Sequence, residues 1–144
     1  MKKMYNLMMM LMAGIMTMSL SSCYDEDEAI AYHLAGQWDG MITDMRGRRF
    51  DVTMYFDQHN NSIYANYGTG YEIDRGWQGR TSHIGFDWKV RDGEIYINYY
   101  DGTRVVVDYD NLPYNNRVGT RFTGYFVDWD TGETLAEFYL IRVD

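Results

Sequence analysis

The feature that most constrains this chain is a succession of short segments in which apolar and polar residues alternate, each closed by a turn signal. From Arg49 on, Phe50, Val52, Met54 and Phe56 take one parity, and Asp51, Thr53, Tyr55 and Asp57 take the other. A period of two places one set on each face of a strand, so such a segment folds as a half-buried strand. Ile84, Phe86, Trp88 and Val90 repeat the pattern, as do Ile95, Ile97 and Tyr99. Between these last two segments stands Asp92-Gly93, a dipeptide that suits the positive backbone angles of a two-residue hairpin. Asp101-Gly102 marks the next turn, and the valine-rich segment Arg104–Tyr109 follows it.

Carried along the whole chain, this reading predicts eight strands. They are Ala35–Thr43, Arg49–Phe56, a third from Ser62–Tyr67 with Tyr71–Asp74 that Gly68 and Gly70 interrupt, Ile84–Val90, Ile95–Tyr99, Arg104–Tyr109, Arg117–Asp128 and Glu133–Val143. Gln58-His59-Asn60-Asn61, Asn111–Asn116 and Asp130-Thr131-Gly132 are loops or turns. Connections this short make sequential neighbours antiparallel. Eight antiparallel strands in order close into an up-and-down β-barrel, which removes exposed edges. An open β-sandwich has the same turn spacing, but no segment carries the charge and proline of an edge strand, which favours the barrel. A short helix is expected over Asp27–Leu34, where Ile30 and Leu34 share a face.

The start of the chain has a different character. Lys2 and Lys3 precede an apolar, methionine-rich stretch from Leu7 to Leu20, followed by Ser21, Ser22 and the only cysteine, Cys23. The stretch is shorter than the roughly 18 apolar residues of a spanning helix, and the layout is that of a secretory leader. A lone cysteine cannot form an intramolecular disulfide. Leu20-Ser21-Ser22-Cys23 resembles the lipobox of bacterial lipoproteins. That resemblance implies cleavage before Cys23 and diacylglycerol and palmitate-type acyl chains on it. Asp25-Glu26-Asp27-Glu28 resembles the export signal of surface-displayed lipoproteins of the Bacteroidota, while a solvated acidic tether is the plain alternative. The expected organisation is a signal peptide over 1–22, a lipidated acidic tether with the short helix over 23–33, and a barrel over 34–144. The expected place is the outer membrane, lipid-anchored, with display on the cell surface favoured over periplasmic retention.

The net charge of −8 becomes more negative once the two leader lysines are removed, so nucleic acid is an unfavourable partner. No cofactor, metal site or catalytic constellation stands out. His33, His59 and His83 lack ligand spacing, and Asp128, Asp130 and Glu133 fit a hairpin turn better than a calcium loop. Most acidic residues fall in turns or at alternate strand positions, and no serine, cysteine or phosphate-loop motif is present. The chain is therefore expected to be non-enzymatic.

Gly36-Gln37-Trp38 opens the first strand, and Arg142 ends the last. This pattern resembles the calycins, the lipocalins and their relatives, and in particular the small lipocalin-like lipoproteins of the Bacteroidota. The resemblance implies a barrel-closing structural set of Trp38, Arg142 and Gly36, with the guanidinium packed over the indole. The chain lacks the terminal helix and disulfide pair of full-length lipocalins. Trp38, Phe50, Phe56, Phe86, Trp88, Phe122, Phe126, Phe138 and Leu140 are the expected inward set, bulky enough for a filled or narrow interior. Gly68-Thr69-Gly70 and the Asn111–Asn116 loop are candidate rim elements, and Tyr67, Tyr71, Trp77, Trp88 and Tyr114 are candidate rim or ligand-facing residues. Tyr55, Tyr64, Tyr96, Tyr100 and Tyr125 fall on the polar parity, as strand formers or as an aromatic surface suited to sugars.

The expected function is a membrane-anchored binding lipoprotein for a small hydrophobic molecule, a glycan or a protein. The alternative is a structural or partner-binding envelope lipoprotein with a filled barrel and no small ligand. Mass spectrometry of the mature protein taken from its own membranes should give a chain that begins at Cys23 and carries acyl mass on that residue. An unmodified Cys23 refutes the anchor.

Overall fold

The structure is a computed structural model that describes residues 25–76 and 78–144; residues 1–24, with Cys23 and the expected signal peptide, and Trp77 lie outside the described residues. Helix α1 spans Glu26–Leu34, and eight strands follow: β1 Gly36–Asp44, β2 Arg49–Gln58, β3 Tyr67–Arg75, β4 Thr81–Arg91, β5 Glu94–Tyr99, β6 Arg104–Asn111, β7 Arg121–Asp128 and β8 Thr134–Arg142. A single 3₁₀ turn, His59–Asn61, lies between β2 and β3. Every strand pairs antiparallel with the next, and β8 returns to β1 with Trp38 opposite Arg142 and Ile42 opposite Phe138. The sheet is thus a closed up-and-down barrel, as the turn spacing predicts, and a sandwich is excluded.

The inward set packs as aromatic layers. Phe56 lies 5.2 Å from Phe86, Phe122 lies 4.8 Å from Phe138, and Phe126 stacks on Phe138 at 4.7 Å. Trp88 meets Phe56 edge-on at 5.8 Å. These tilted and offset geometries suit the ring quadrupole. Phe50 is only partly buried and lies towards one mouth.

The third strand departs from the expected one. Ser62–Asn66 is not strand, and Gly68 and Gly70 lie inside β3 rather than interrupting it. The reason is space. Both glycines point inward, where a Cβ on Gly70 would sit 2.3 Å from the Tyr55 carbonyl oxygen and 2.4 Å from the Phe86 ring, and one on Gly68 would sit 1.8 Å from the Asp57 carbonyl oxygen and 3.0 Å from the Trp88 indole nitrogen, so the β2 backbone and the β4 rings both exclude it. Bulky rings on β4 occupy the volume that side chains on β3 would need. The β7 boundary also shifts: Arg117–Thr120 is loop and turn, and the strand begins at Arg121.

The helix closes one end. Asp25 caps it, its carboxylate accepting from the Asp27 N–H at 3.1 Å, and Ile30, Ala31 and Leu34 are buried. Asp27 accepts from the N–H groups of Asp92 at 2.9 Å and Gly93 at 2.8 Å, which pins the helix to the β4–β5 turn. Asp25–Glu28 is therefore not an extended tether: these acids start a helix, and the helix belongs to the barrel.

Beneath the helix, Trp38 is fully buried and donates from its indole nitrogen to the Leu34 carbonyl at 2.8 Å. The Arg142 guanidinium carbon stands 4.6 Å from the Trp38 ring centroid. One guanidinium nitrogen donates to the His33 carbonyl at 2.5 Å and the Ala35 carbonyl at 2.8 Å, which satisfies carbonyls freed at the helix end. Gly36 has a φ of +125°, and a Cβ there would fall 2.4 Å from an Arg142 nitrogen, so only glycine fits. Trp38→Ala should lower unfolding free energy by roughly 3–5 kcal/mol. Arg142→Met, which keeps length but loses charge-assisted bonds and the cation–π contact, should lower it by about 3 kcal/mol. Urea denaturation measures both, and unchanged midpoints contradict the assignment.

Candidate functional site

The end opposite α1 is bounded by the β1–β2, β3–β4, β5–β6 and β7–β8 turns. Here the packed interior stops short. A cavity of about 260 Å³ opens between Ile42, Ile84, Val105 and Phe126, with Glu72, Asp74 and Tyr99 among its walls. It adjoins a wider depression of about 870 Å³ that shares Asp74 and Ser82 and reaches Phe50, Arg49 and Arg80. The mouth is therefore a small cup with apolar side chains from several strands, carboxyl groups from β3 and the β5–β6 turn, and arginines on its rim.

The carboxyls point inward because β3 inverts the usual pattern. Gly68, Gly70, Glu72 and Asp74 take the inward parity, opposite the inward Trp88, Phe86, Ile84 and Ser82 of β4. Tyr67, Tyr71 and Ile73 take the outward one. Glu72 is 7% exposed, and the Tyr99 hydroxyl donates to it. Burial, and after it the negative charge of Asp74, push the Glu72 pKa up to about 8. Burial and then the Glu72 charge push the Tyr99 phenol well above its usual value. Glu72 is thus an uncharged acid at neutral pH, with a proton to donate. One carboxyl oxygen of Asp74 is buried and has no hydrogen-bond partner among the described residues. The neutral Glu72 acid beside it is a donor for Asp74, so the two carboxyls share a proton that a ligand donor would compete with.

This arrangement offers a hydrogen-bond donor and an acceptor at the floor of the cup. Glu72 and Asp74 stand on one strand, two residues apart, and so on one wall, and Asp101 joins the lining from the β5–β6 turn.

The residues singled out from the sequence are dispersed. Trp88 is not at a rim: it is buried in the core, its indole nitrogen donating to the Thr69 carbonyl at 2.9 Å and the Asp57 carbonyl at 3.2 Å. Tyr71 faces outward, stacked on Tyr55 at 5.4 Å. Tyr67 is also outside, stacked on His59 at 4.7 Å. Tyr114 is exposed in the β6–β7 loop, so the Asn111–Asn116 segment borders the helix-closed end and not the open mouth. Gly68-Thr69-Gly70 is strand and not rim. Trp77 lies outside the described residues. The three histidines remain apart: His33 bonds Asn116 at 3.0 Å, and His83 meets Tyr71 edge-on. Among the described residues no group of three or more His, Cys, Asp or Glu could hold a metal ion. At the last turn, Asp128 accepts from the N–H groups of Asp130 and Thr131 at 2.8 and 2.9 Å.

Glu72, Asp74 and Tyr99 were not selected from the sequence. The signal that finds them is the pair Gly68 and Gly70: once these are inward, period two carries Glu72 and Asp74 inward as well.

No family model and no curated protein matches the chain. Solved structures do. One is a de novo designed β-barrel described as fluorescence-activating, with a TM-score of 0.55 at 13% identity, covering 80% of this chain and 98% of that one. Another is a redesigned β-barrel with a TM-score of 0.50 at 17% identity, covering 81% of this chain and 96% of that one. The likeness is one of fold. This chain and the designed chains share the eight-stranded barrel.

The Glu72 geometry sets a pH dependence. The folded state holds a proton up to about pH 8 that the unfolded chain releases near the ordinary value of 4.5. The unfolded state therefore binds fewer protons within that window, and stability falls as pH rises through it. The loss is on the order of a few kcal/mol. Glu72→Gln should flatten the curve and exceed the wild type in stability above pH 8, by urea denaturation at pH 5, 7 and 9. A wild-type stability that rises across this range in step with Glu72→Gln contradicts the buried acid.

Proposed function

We propose that this protein is a non-catalytic binding lipoprotein, held to the outer membrane by lipid on Cys23, with a lipocalin-like barrel whose open mouth takes one small hydrophobic molecule. The observation that carries the reading is the mouth cavity, with apolar side chains from several strands and the Glu72–Asp74 carboxyl pair at its floor. Ligand sites are commonly concave and apolar with a few converging polar groups. The ligand's apolar body lies against Ile42, Ile84 and Phe126, and its polar end meets Glu72 and Asp74. The rim arginines, Arg49 and Arg80, favour a ligand that also carries negative charge outside the cup. The fold likeness to a designed fluorescence-activating barrel is compatible with binding. The Gly36, Trp38 and Arg142 cluster supports the lipocalin-like reading, and the leader with Cys23 supports the anchor.

A second reading is a partner-binding envelope lipoprotein with no small ligand. The packed aromatic layers below the mouth favour it, since they leave the cup shallow.

The probe 1-anilinonaphthalene-8-sulfonate combines an aromatic body with an anionic group. It should bind saturably at one site with a rise in fluorescence. Ser82→Trp, at an exposed position shared by both mouth cavities, should weaken binding about tenfold by filling the entrance. Absence of saturable binding, or binding that Ser82→Trp leaves unchanged, favours the second reading.

A further inference from the structure

The outer wall of the barrel carries a groove separate from the mouth. It has a volume of about 740 Å³ and crosses β3, β4, β5 and the start of β6. One side is the stacked pair His59 and Tyr67, ring centroids 4.7 Å apart. The other is Tyr96 with Trp129, 5.0 Å apart. Trp129 reaches the groove because its backbone N–H donates to the Arg104 carbonyl at 3.0 Å, which turns the start of the β7–β8 turn over the outer face. Tyr67 is 47% exposed and Trp129 40%. Between these walls lie the outward residues of the strands: Thr69 opposite Asp87, and Asp87 opposite Asn98. The trough therefore has aromatic sides and a floor of short polar groups.

Its charges define what it can take. Lys89 stands 5.6 Å from both the Tyr96 and Trp129 rings, and Arg104 stands 5.0 Å from Trp129. These cations oppose a cationic ligand. Asp57 and Asp87 also line the groove, and Arg104 is paired with Asp130 at 2.5 Å, so the local charge is close to balanced. The chain as a whole carries −8, which repels a polyanion. An uncharged ligand with many hydroxyls meets none of these penalties. Its hydroxyls can bond to the Asn98 amide, the Thr69 hydroxyl and the Asp87 carboxylate, one oxygen of which also accepts from the Tyr100 hydroxyl at 3.0 Å. Its ring C–H groups, slightly positive, can lie on the solvent-exposed ring surface of Tyr67, whose other side carries His59, and of Trp129, where they compete with Lys89 and Arg104.

We propose that this outer groove binds a neutral oligosaccharide, with Tyr67 and Trp129 as the platforms for sugar rings and Asp87 and Asn98 as partners for hydroxyls. The site is independent of the mouth and can be occupied together with it.

Isothermal titration of the full protein with cellohexaose, maltohexaose, xylohexaose and mannohexaose, and with a hyaluronan hexasaccharide as the charged comparison, tests the assignment. At least one neutral hexasaccharide should bind with Kd of about 1 mM or tighter. Trp129→Ala and Tyr67→Ala should each weaken it about tenfold or more, with melting temperatures close to wild type because both side chains are exposed and the Trp129 backbone bond is retained. Ser82→Trp should leave sugar binding unchanged. The assignment is overturned if none of the four binds, if the hyaluronan fragment binds more tightly than they do, or if neither aromatic variant changes the affinity.

Discussion

The structure depends on a charge placed where charge is expensive. Arg142 is 3% exposed and sits on the last strand, over the indole of Trp38 on the first. Burial lowers its pKa, and the Asp144 carboxylate 3.9 Å away opposes that loss. An unpaired charge in this position is strongly destabilising. Arg142 avoids that penalty by giving its protons to two carbonyls at the end of α1 and its cationic face to the indole. One side chain thereby joins three parts of the fold: the plug helix, the first strand and the last. Gly36 leaves the room that this junction needs.

The two ends of the barrel bury different kinds of polar group. At the closed end the indole of Trp38 has the Leu34 carbonyl and Asp27 has the β4–β5 turn, while the Arg142 Nε is buried with no partner among the described residues. At the open end the matching is also incomplete. Glu72 is held neutral, and an Asp74 oxygen has no partner among the described residues. A barrel made only for stability would have apolar side chains at these two positions, since an incompletely satisfied polar group is worse than an apolar one. Their retention beside a cavity is what gives the mouth its functional reading.

Much of this was legible in the sequence, and the exceptions have a common origin. Alternation in β2, β4 and β5 set the face of each residue, and Asp92-Gly93 set a turn. Closure followed from turn spacing and the lack of an edge-like segment. β3 defeated the same reasoning because its apolar parity, Tyr67, Tyr71 and Ile73, faces outward. There the outer aromatics pack across strands, with Tyr71 on Tyr55, while the inward positions are glycines that yield space to Phe86 and Trp88. Side-chain volume on a neighbouring strand decided the matter, and a single strand's pattern does not contain it. The same inversion hid Glu72 and Asp74, which look like solvated acids until the register is known. The acidic run Asp25–Glu28 misled in another way: its helix caps and turn contacts are specific, whereas its composition reads as repulsion.

The seam between β1 and β8 joins residues from opposite ends of the barrel sequence, with Trp38 beside Arg142. Hairpins form quickly from neighbouring segments, but this ladder needs the widest loop in the domain to close. Until it does, both flanking strands present free backbone edges, and the indole lacks its cationic lid. Assembly is therefore governed by the last pairing made, and a partly formed sheet has two unsatisfied borders open to other chains. A protein of this topology is best kept dilute or escorted until its ends have met.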